Sequence, residues 1–322
     1  MTTLNQSAPA SPSQLHTLTE INIQDFLIAF GLENLHPGRD VLDALCWLPA
    51  RRFASQIARY DRMVGEDGLG PASRRILSGY VRRLEVEGQE NIPQSGPLLL
   101  LSNHPGLTDA LSLFASIPRP DLRVVAAERP FLRVLPSITR HLLYVPDDPS
   151  QRMRVVRAVV GHLRHGGAVL TFPAGQIEPD PASMPGAVAS LHNWSESVAI
   201  FTRLVPETHV VVAIVSGVFW PAALRSPLTR LRRRQPDRER MGAALQALVQ
   251  TLLPFYQPVA TRVAYSPAFH PAELAGSTDT TAITQAITGQ ARRLIEGIQN
   301  RNVQVQPMIS LTPPLRPSQE ER

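Results

Sequence analysis

The chain contains no lysine: all 32 of its basic residues are arginine, and among 322 residues there is a single cysteine. A lone Cys46 excludes an intrachain disulfide and a cysteine-built metal cluster, and no other ligand cluster calls for a metal. Aromatic residues are scarce, at 6%. No zinc-finger or RNA-recognition signature accompanies the arginines, so nucleic acid is not an expected partner. Long apolar runs are missing too. A run such as Val210–Val215 falls far short of the roughly 20 residues that span a bilayer. Met1–Gln14 has neither the basic start nor the apolar stretch of a signal peptide. These absences predict a cytoplasmic protein, with a peripheral place on the inner face of the cell membrane left open.

What is present predicts a folded chain with a sizeable core. Hydrophobic residues make up 43% and charged residues 18%, a balance opposite to that of disordered chains. A net charge of +5 and a pI near 10.1 suit an anionic substrate or a membrane surface. Since arginine is the only strong base, a single arginine at a given position says little.

Residues 1–20, rich in Ser, Thr, Ala and Pro, read as a flexible tail, and residues 21–80 as a helical N-terminal unit. Asn22 is placed to cap a short helix in which Ile23, Phe26, Leu27 and Phe30 recur at helical spacing before Gly31. A second helix is expected from about Asp40, breaking at Pro49 and resuming through Phe53, Ile57, Tyr60 and Val64, and a third from Ser73. Cys46, beside Leu42, Leu45, Trp47 and Leu48, reads as core. Residues 81–305 then alternate short apolar runs with amphipathic stretches. Strands are predicted at Leu84–Glu87, Pro97–Ser102, Leu122–Ala127, Leu142–Val145, Ala168–Phe172, His209–Ser216 and Thr261–Tyr265. Unbroken runs such as Leu98–Leu101 point to a sheet covered on both faces. The fold class is therefore α/β, a mostly parallel central sheet flanked by helices. Residues 306–322 return to tail composition.

The most informative segment is Ser102-Asn103-His104-Pro105-Gly106-Leu107-Thr108-Asp109. An apolar strand ends there and a helix begins, at the carboxyl edge where α/β sheets bind ligands. In a continuous helix, residues five apart are separated by about 140° around the axis and would not meet. Pro105 and Gly106 force a turn instead, which can fold the His104 imidazole back onto Asp109 in the first helical turn. A carboxylate there is favoured in its ionised form. Holding one ring nitrogen, it leaves the other free to accept a proton, the base–orienter logic of serine hydrolases without the serine. Taken alone, such spacing is equally that of an ordinary loop histidine. The chain has no Gly-x-Ser-x-Gly elbow, so a covalent acyl-enzyme is not expected.

From Leu84-Glu85-Val86-Glu87-Gly88 through Glu90-Asn91-Ile92-Pro93, Gly96-Pro97 and Asn103-His104…Asp109, the chain resembles the opening of PlsC-like glycerolipid acyltransferases, the lysophosphatidic-acid-acyltransferase type. The resemblance runs over roughly residues 82–220. It implies that His104 and Asp109 are a catalytic pair, that no cofactor or metal is needed, and that an acyl thioester, acyl-CoA or acyl carrier protein, is the co-substrate. Phe172-Pro173-Ala174-Gly175 resembles the family's Phe-Pro-Glu-Gly block, with Ala174 where a glutamate is usual. The resemblance assigns this block, with Asn103, to binding the acceptor or an oxyanion, and Glu178 is the nearest candidate for the missing carboxylate. On its own the block reads as a strand-ending turn that exposes backbone N–H groups. The family's phosphate-binding arginine is missing after Leu142–Val145, and Arg152 is the nearest replacement, although it fits a solvated helix face as well.

The expected reaction is transfer of a fatty acyl group to a hydroxyl of a lysophospholipid or glycerol-phosphate-like acceptor, with N–H groups near Gly175 facing the oxyanion. Two alternatives remain: a thioesterase in which His104 activates water, and a non-catalytic peripheral lipid-binding protein. A basic cluster, Arg225, Arg230, Arg232, Arg233, Arg234, Arg238 and Arg240, fits an anionic membrane surface, each residue contributing about 1 kcal/mol. It fits a solvated loop equally well.

Overall fold

Four consecutive leucines cannot all be buried on one face of a strand, because successive side chains alternate. Leu98, Leu99, Leu100 and Leu101 are nevertheless all fully buried, so both faces of their strand must be covered. The structure, a computed structural model, describes residues 12–34, 38–146, 148–232, 234–253, 256–300 and 308–309. Leu98 and Leu100 join a core on one side of the sheet, and Leu99 and Leu101 join a second core on the other. Val211, Ala213 and Val215 divide in the same way from Val210, Val212 and Ile214. Burying each leucine contributes about 1.5–3 kcal/mol, which anchors the strand that carries His104 at its end.

Among the described residues, eight strands form one sheet: β1 (Val81–Glu87), β2 (Leu98–Ser102), β3 (Arg123–Ala127), β4 (Leu142–Val145), β5 (Ala168–Thr171), β6 (His209–Ser216), β7 (Val259–Tyr265) and β8 (Met308–Ile309). Their order is β4-β3-β5-β2-β6-β7-β1-β8. The run from β4 to β6 is parallel, β7 is antiparallel to β6, and β1 pairs in parallel with β7. The mostly parallel α/β sheet predicted from the sequence is thus present. After β2 the chain crosses to β3, beyond β5, whereas after β5 it crosses to β6 on the opposite flank of β2. That reversal is the switch point at which open α/β sheets form their crevice, and β2 stands in it.

Eight helices of eight or more residues surround the sheet among the described residues: α1 (Pro12–Phe30), α2 (Arg39–Asp67), α3 (Leu69–Leu77), α4 (Asp109–Ser116), α5 (Arg152–Arg164), α6 (Ser197–Leu204), α7 (Gln235–Leu252) and α8 (Thr280–Asn300). The first three pack over the same sheet face as Leu98 and Leu100: Leu18, Ala54, Ala58, Tyr60 and Leu77 belong to that core. Asp61 of α2 accepts the Ser137 and Ile138 N–H groups at 3.0 and 2.8 Å, tying the helical unit to the segment before β4.

Four sequence expectations change. Residues 12–20, read as tail, form the start of α1 because Leu18 is fully buried against the core. Asn22 lies inside α1 rather than at its cap, and donates to the Ala50 carbonyl at 3.2 Å. Pro49 does not break α2: it is buried, and Ala50 beside it packs with Ile23 and Leu27 of α1, so packing outweighs the lost backbone bond. The stretch around Cys46 is only partly core. Leu45, Trp47 and Leu48 point outward, being 69%, 49% and 50% exposed, because α1 covers one side of α2 only. The tail expected at 306–322 lies outside the described residues except for β8, which pairs antiparallel with β1. The expected tail over residues 1–11 lies outside them as well. No helix among the described residues is long and apolar enough to cross a membrane.

Candidate active site

The loop leaving β2 turns through two residues with left-handed backbone, Gly106 at φ 92° and Leu107 at φ 56°. Glycine enters that region at little cost, whereas a leucine there is strained. The turn returns Asp109, first residue of α4, toward His104. His104 Nδ1 and Asp109 Oδ2 are 2.7 Å apart. The same oxygen accepts the Gly106 N–H at 2.8 Å, and Oδ1 accepts the Ala110 N–H at 2.5 Å. Asp109 is almost fully buried, while the His104 side chain is 32% exposed. A carboxylate with these donors accepts from Nδ1–H, so the neutral ring carries its lone pair on Nε2. That nitrogen has no hydrogen-bond partner among the described residues. Burial pulls the imidazole toward lower pKa, but the Asp109 hydrogen bond and charge, joined by the Glu178 charge, outweigh it and leave His104 raised.

Two other segments converge on this loop. From β5, adjacent to β2, Phe172 lays its ring against the imidazole, with centroids 4.4 Å apart. From the loop beyond, Glu178 Oε2 accepts the His104 N–H at 3.1 Å, and the Glu178 N–H donates to the His104 carbonyl at 2.9 Å. The other oxygen, Oε1, accepts from Ser190 Oγ and Trp194 Nε1, each at 3.0 Å. Burial holds this carboxyl above the usual glutamate range against the pull of those bonds.

The remaining sequence candidates fall differently. Asn103 is buried with both ends of its amide occupied: Nδ2 donates to the Val215 carbonyl at 2.9 Å and Oδ1 accepts the Val215 N–H at 2.8 Å. It extends the β2–β6 pairing by one side chain. The Gly175 N–H donates to the Phe172 carbonyl at 3.0 Å, closing the turn, so it does not face an oxyanion. The Pro173 carbonyl accepts the Ser195 N–H at 3.0 Å, so this block ties the turn together. Arg152 is exposed at the start of α5, after β4. Three strand spacings separate β4 from β2, about 14 Å at ~4.8 Å each, and no described bond joins Arg152 to His104.

Two features escaped the sequence reading. Asp180, fully buried, accepts the N–H groups of Ala182, Gly217, Val218 and Phe219 at 2.9–3.3 Å. It fastens the Glu178 loop to the end of β6. Exposed Ile177 reaches over the His104–Asp109 turn, its Cδ1 being 3.3 Å from where a Cβ on Gly106 would stand. The only available signal was two acids, Glu178 and Asp180, in an otherwise apolar and proline-rich stretch. A groove of about 820 Å³ lies apart from His104, between residues 186–192 and α8, with His192, Gln285 and Arg292 on its walls.

Residues 83–215 match the family model described as Acyltransferase. No curated protein matches the chain. Among solved structures it is similar to the crystal structure of the 1-acyl-sn-glycerophosphate (LPA) acyltransferase PlsC from Thermotoga maritima, at 13% identity and a TM-score of 0.46. The match covers 91% of this chain and 96% of that one.

Proposed function

We propose that this chain, an acyltransferase by the family of its residues 83–215, moves a fatty acyl group from an acyl thioester to a hydroxyl of a lysophospholipid or glycerol-phosphate-like acceptor. The observation that carries this reading is the 2.7 Å pairing of His104 with buried Asp109, which leaves Nε2 as the basic nitrogen at the carboxyl edge of β2. Nε2 takes the acceptor's hydroxyl proton, and the oxygen attacks the thioester carbonyl. As the tetrahedral intermediate collapses, the C–S bond breaks. The imidazolium returns its proton to the thiolate, and the products are an ester and a free thiol. A positioned base of this kind contributes roughly 10²–10⁴-fold. The glycerolipid class of the acceptor rests on the resemblance of residues 82–220 to PlsC-like acyltransferases.

An anionic membrane surface is the proposed partner of the basic cluster. Arg225, Arg230 and Arg234 are exposed. Arg232 instead packs its guanidinium where a Cβ on Gly31 would stand, and Arg233 lies outside the described residues. Val41, Leu45 and Leu48, exposed on one side of α2, add apolar surface, and α2 meets α7 where Arg52 donates to the Leu252 carbonyl. The proposed location is the cytoplasm, at that membrane face.

The test is incubation of the purified protein with labelled acyl-CoA or acyl carrier protein and a panel of lysolipids. Label in a diacyl product, dependent on acceptor, is expected. Label released only as free fatty acid, unchanged by added acceptor, would instead establish the thioesterase.

A further inference from the structure

Two N–H donors are fixed on Glu178, the His104 N–H on Oε2 and the Trp194 indole N–H on Oε1, while Ser190 Oγ, whose one proton is shared with the Ala187 carbonyl, lies 3.0 Å from Oε1. Its own N–H completes a second bond to the His104 carbonyl. Both sides of the His104 residue are therefore held by one glutamate from a loop 74 positions later in the chain. We infer that Glu178 is a positioning residue for His104, gripping the backbone that carries the imidazole so that the ring stays aligned on Asp109. This rests on His104 acting as the base, and it departs from the acceptor-binding role expected of Glu178 from the sequence.

The donor set requires an acceptor-only group. A carboxylate satisfies both N–H donors, whereas a glutamine must turn its NH₂ toward either the His104 N–H or the Trp194 N–H. The charge acts as well. The charged groups facing His104 are Asp109 from α4 and Glu178 from the loop after β5, and both raise the imidazole. Of these only Asp109 meets the ring. Glu178 reaches the backbone, so it controls where the imidazole stands and adds to its basicity without touching substrate. Asp180, two residues on, clamps the same loop to β6, which makes the grip rigid.

The experiment is Glu178→Gln, read in two ways. Displacing a catalytic group by about 1 Å costs on the order of 10²-fold, so kcat should fall by about that factor with KM for donor and acceptor unchanged. Independently of turnover, the His104 imidazole, followed by NMR, should titrate at lower pH than in the wild type. A loss confined to acceptor KM would overturn the inference in favour of acceptor binding, and so would an unmoved His104 titration. Should Glu178→Gln fail to fold, Trp194→Phe keeps the oxygen that holds His104 and removes one donor from Oε1. Loosened at that end, the carboxylate grips the His104 backbone less firmly, so kcat should fall with both KM values unchanged; an unchanged kcat would overturn the inference. Because the NMR titration does not depend on catalysis, it separates failure of this inference from failure of His104 as the base.

Discussion

One oxygen of Asp109 holds two parts of the same loop: Oδ2 lies 2.7 Å from His104 Nδ1 and accepts the Gly106 N–H at 2.8 Å. Turn and ring are thus locked by a single atom. Asp109→Asn keeps the shape but turns a strong acceptor into an amide. Transfer should fall by about 10²–10⁴-fold. Because Asp109 raises His104, the acidic limb of the residual kcat/KM profile should move to lower pH. A pH–rate series measures both, and a limb that stays in place would refute the assignment.

His104→Ala should remove nearly all transfer. A folded-state pKa raised above 6.5 means that the charged imidazole stabilises the fold fully below pH 6.5, and that this is lost as pH rises through the folded value. The melting-temperature gap between wild type and His104→Ala should therefore be wider at pH 5.5 than at pH 9. Calorimetry at the two pH values decides, and a gap of equal width would contradict the raised value.

Gly106→Ala places a side chain at φ 92°, at a cost of about 1–2 kcal/mol. The added Cβ would meet only the flexible end of Ile177, so backbone strain is the larger effect. Relieving it shifts the turn, and kcat should drop by far more than denaturant unfolding shows stability to have changed. A proportionate loss of both would mean that the turn does not control the imidazole.

Asn103→Ala leaves the Val215 N–H and carbonyl without their partners in a buried place. Each unsatisfied group costs about 1–3 kcal/mol. The urea midpoint should fall accordingly, while acceptor KM stays at the wild-type value. A raised KM with unchanged stability would restore Asn103 to the acceptor site.

The seven strands expected between residues 84 and 265 and the helices between them were readable because burial on two faces writes apolar runs and amphipathic periods directly into the chain. Pro49 was not readable in this way. Its local preference is to end a helix, and only the packing of Ala50 against α1 overrides it. Asp180 and Glu178 were equally opaque, since nothing in their spacing says which backbone groups a carboxylate will find 37 or 74 residues away.

By itself the sequence determined the strand–turn–helix around His104, because Pro105 and Gly106 constrain a five-residue reach to Asp109 by local geometry alone. The tertiary structure decided which atoms remained available there. By setting β5 and β6 on either side of β2, it directed Asn103 to Val215, the Gly175 N–H to Phe172 and Glu178 to His104. Those pairings follow from strand order, which emerges from the summed burial of the whole sheet and not from any short segment.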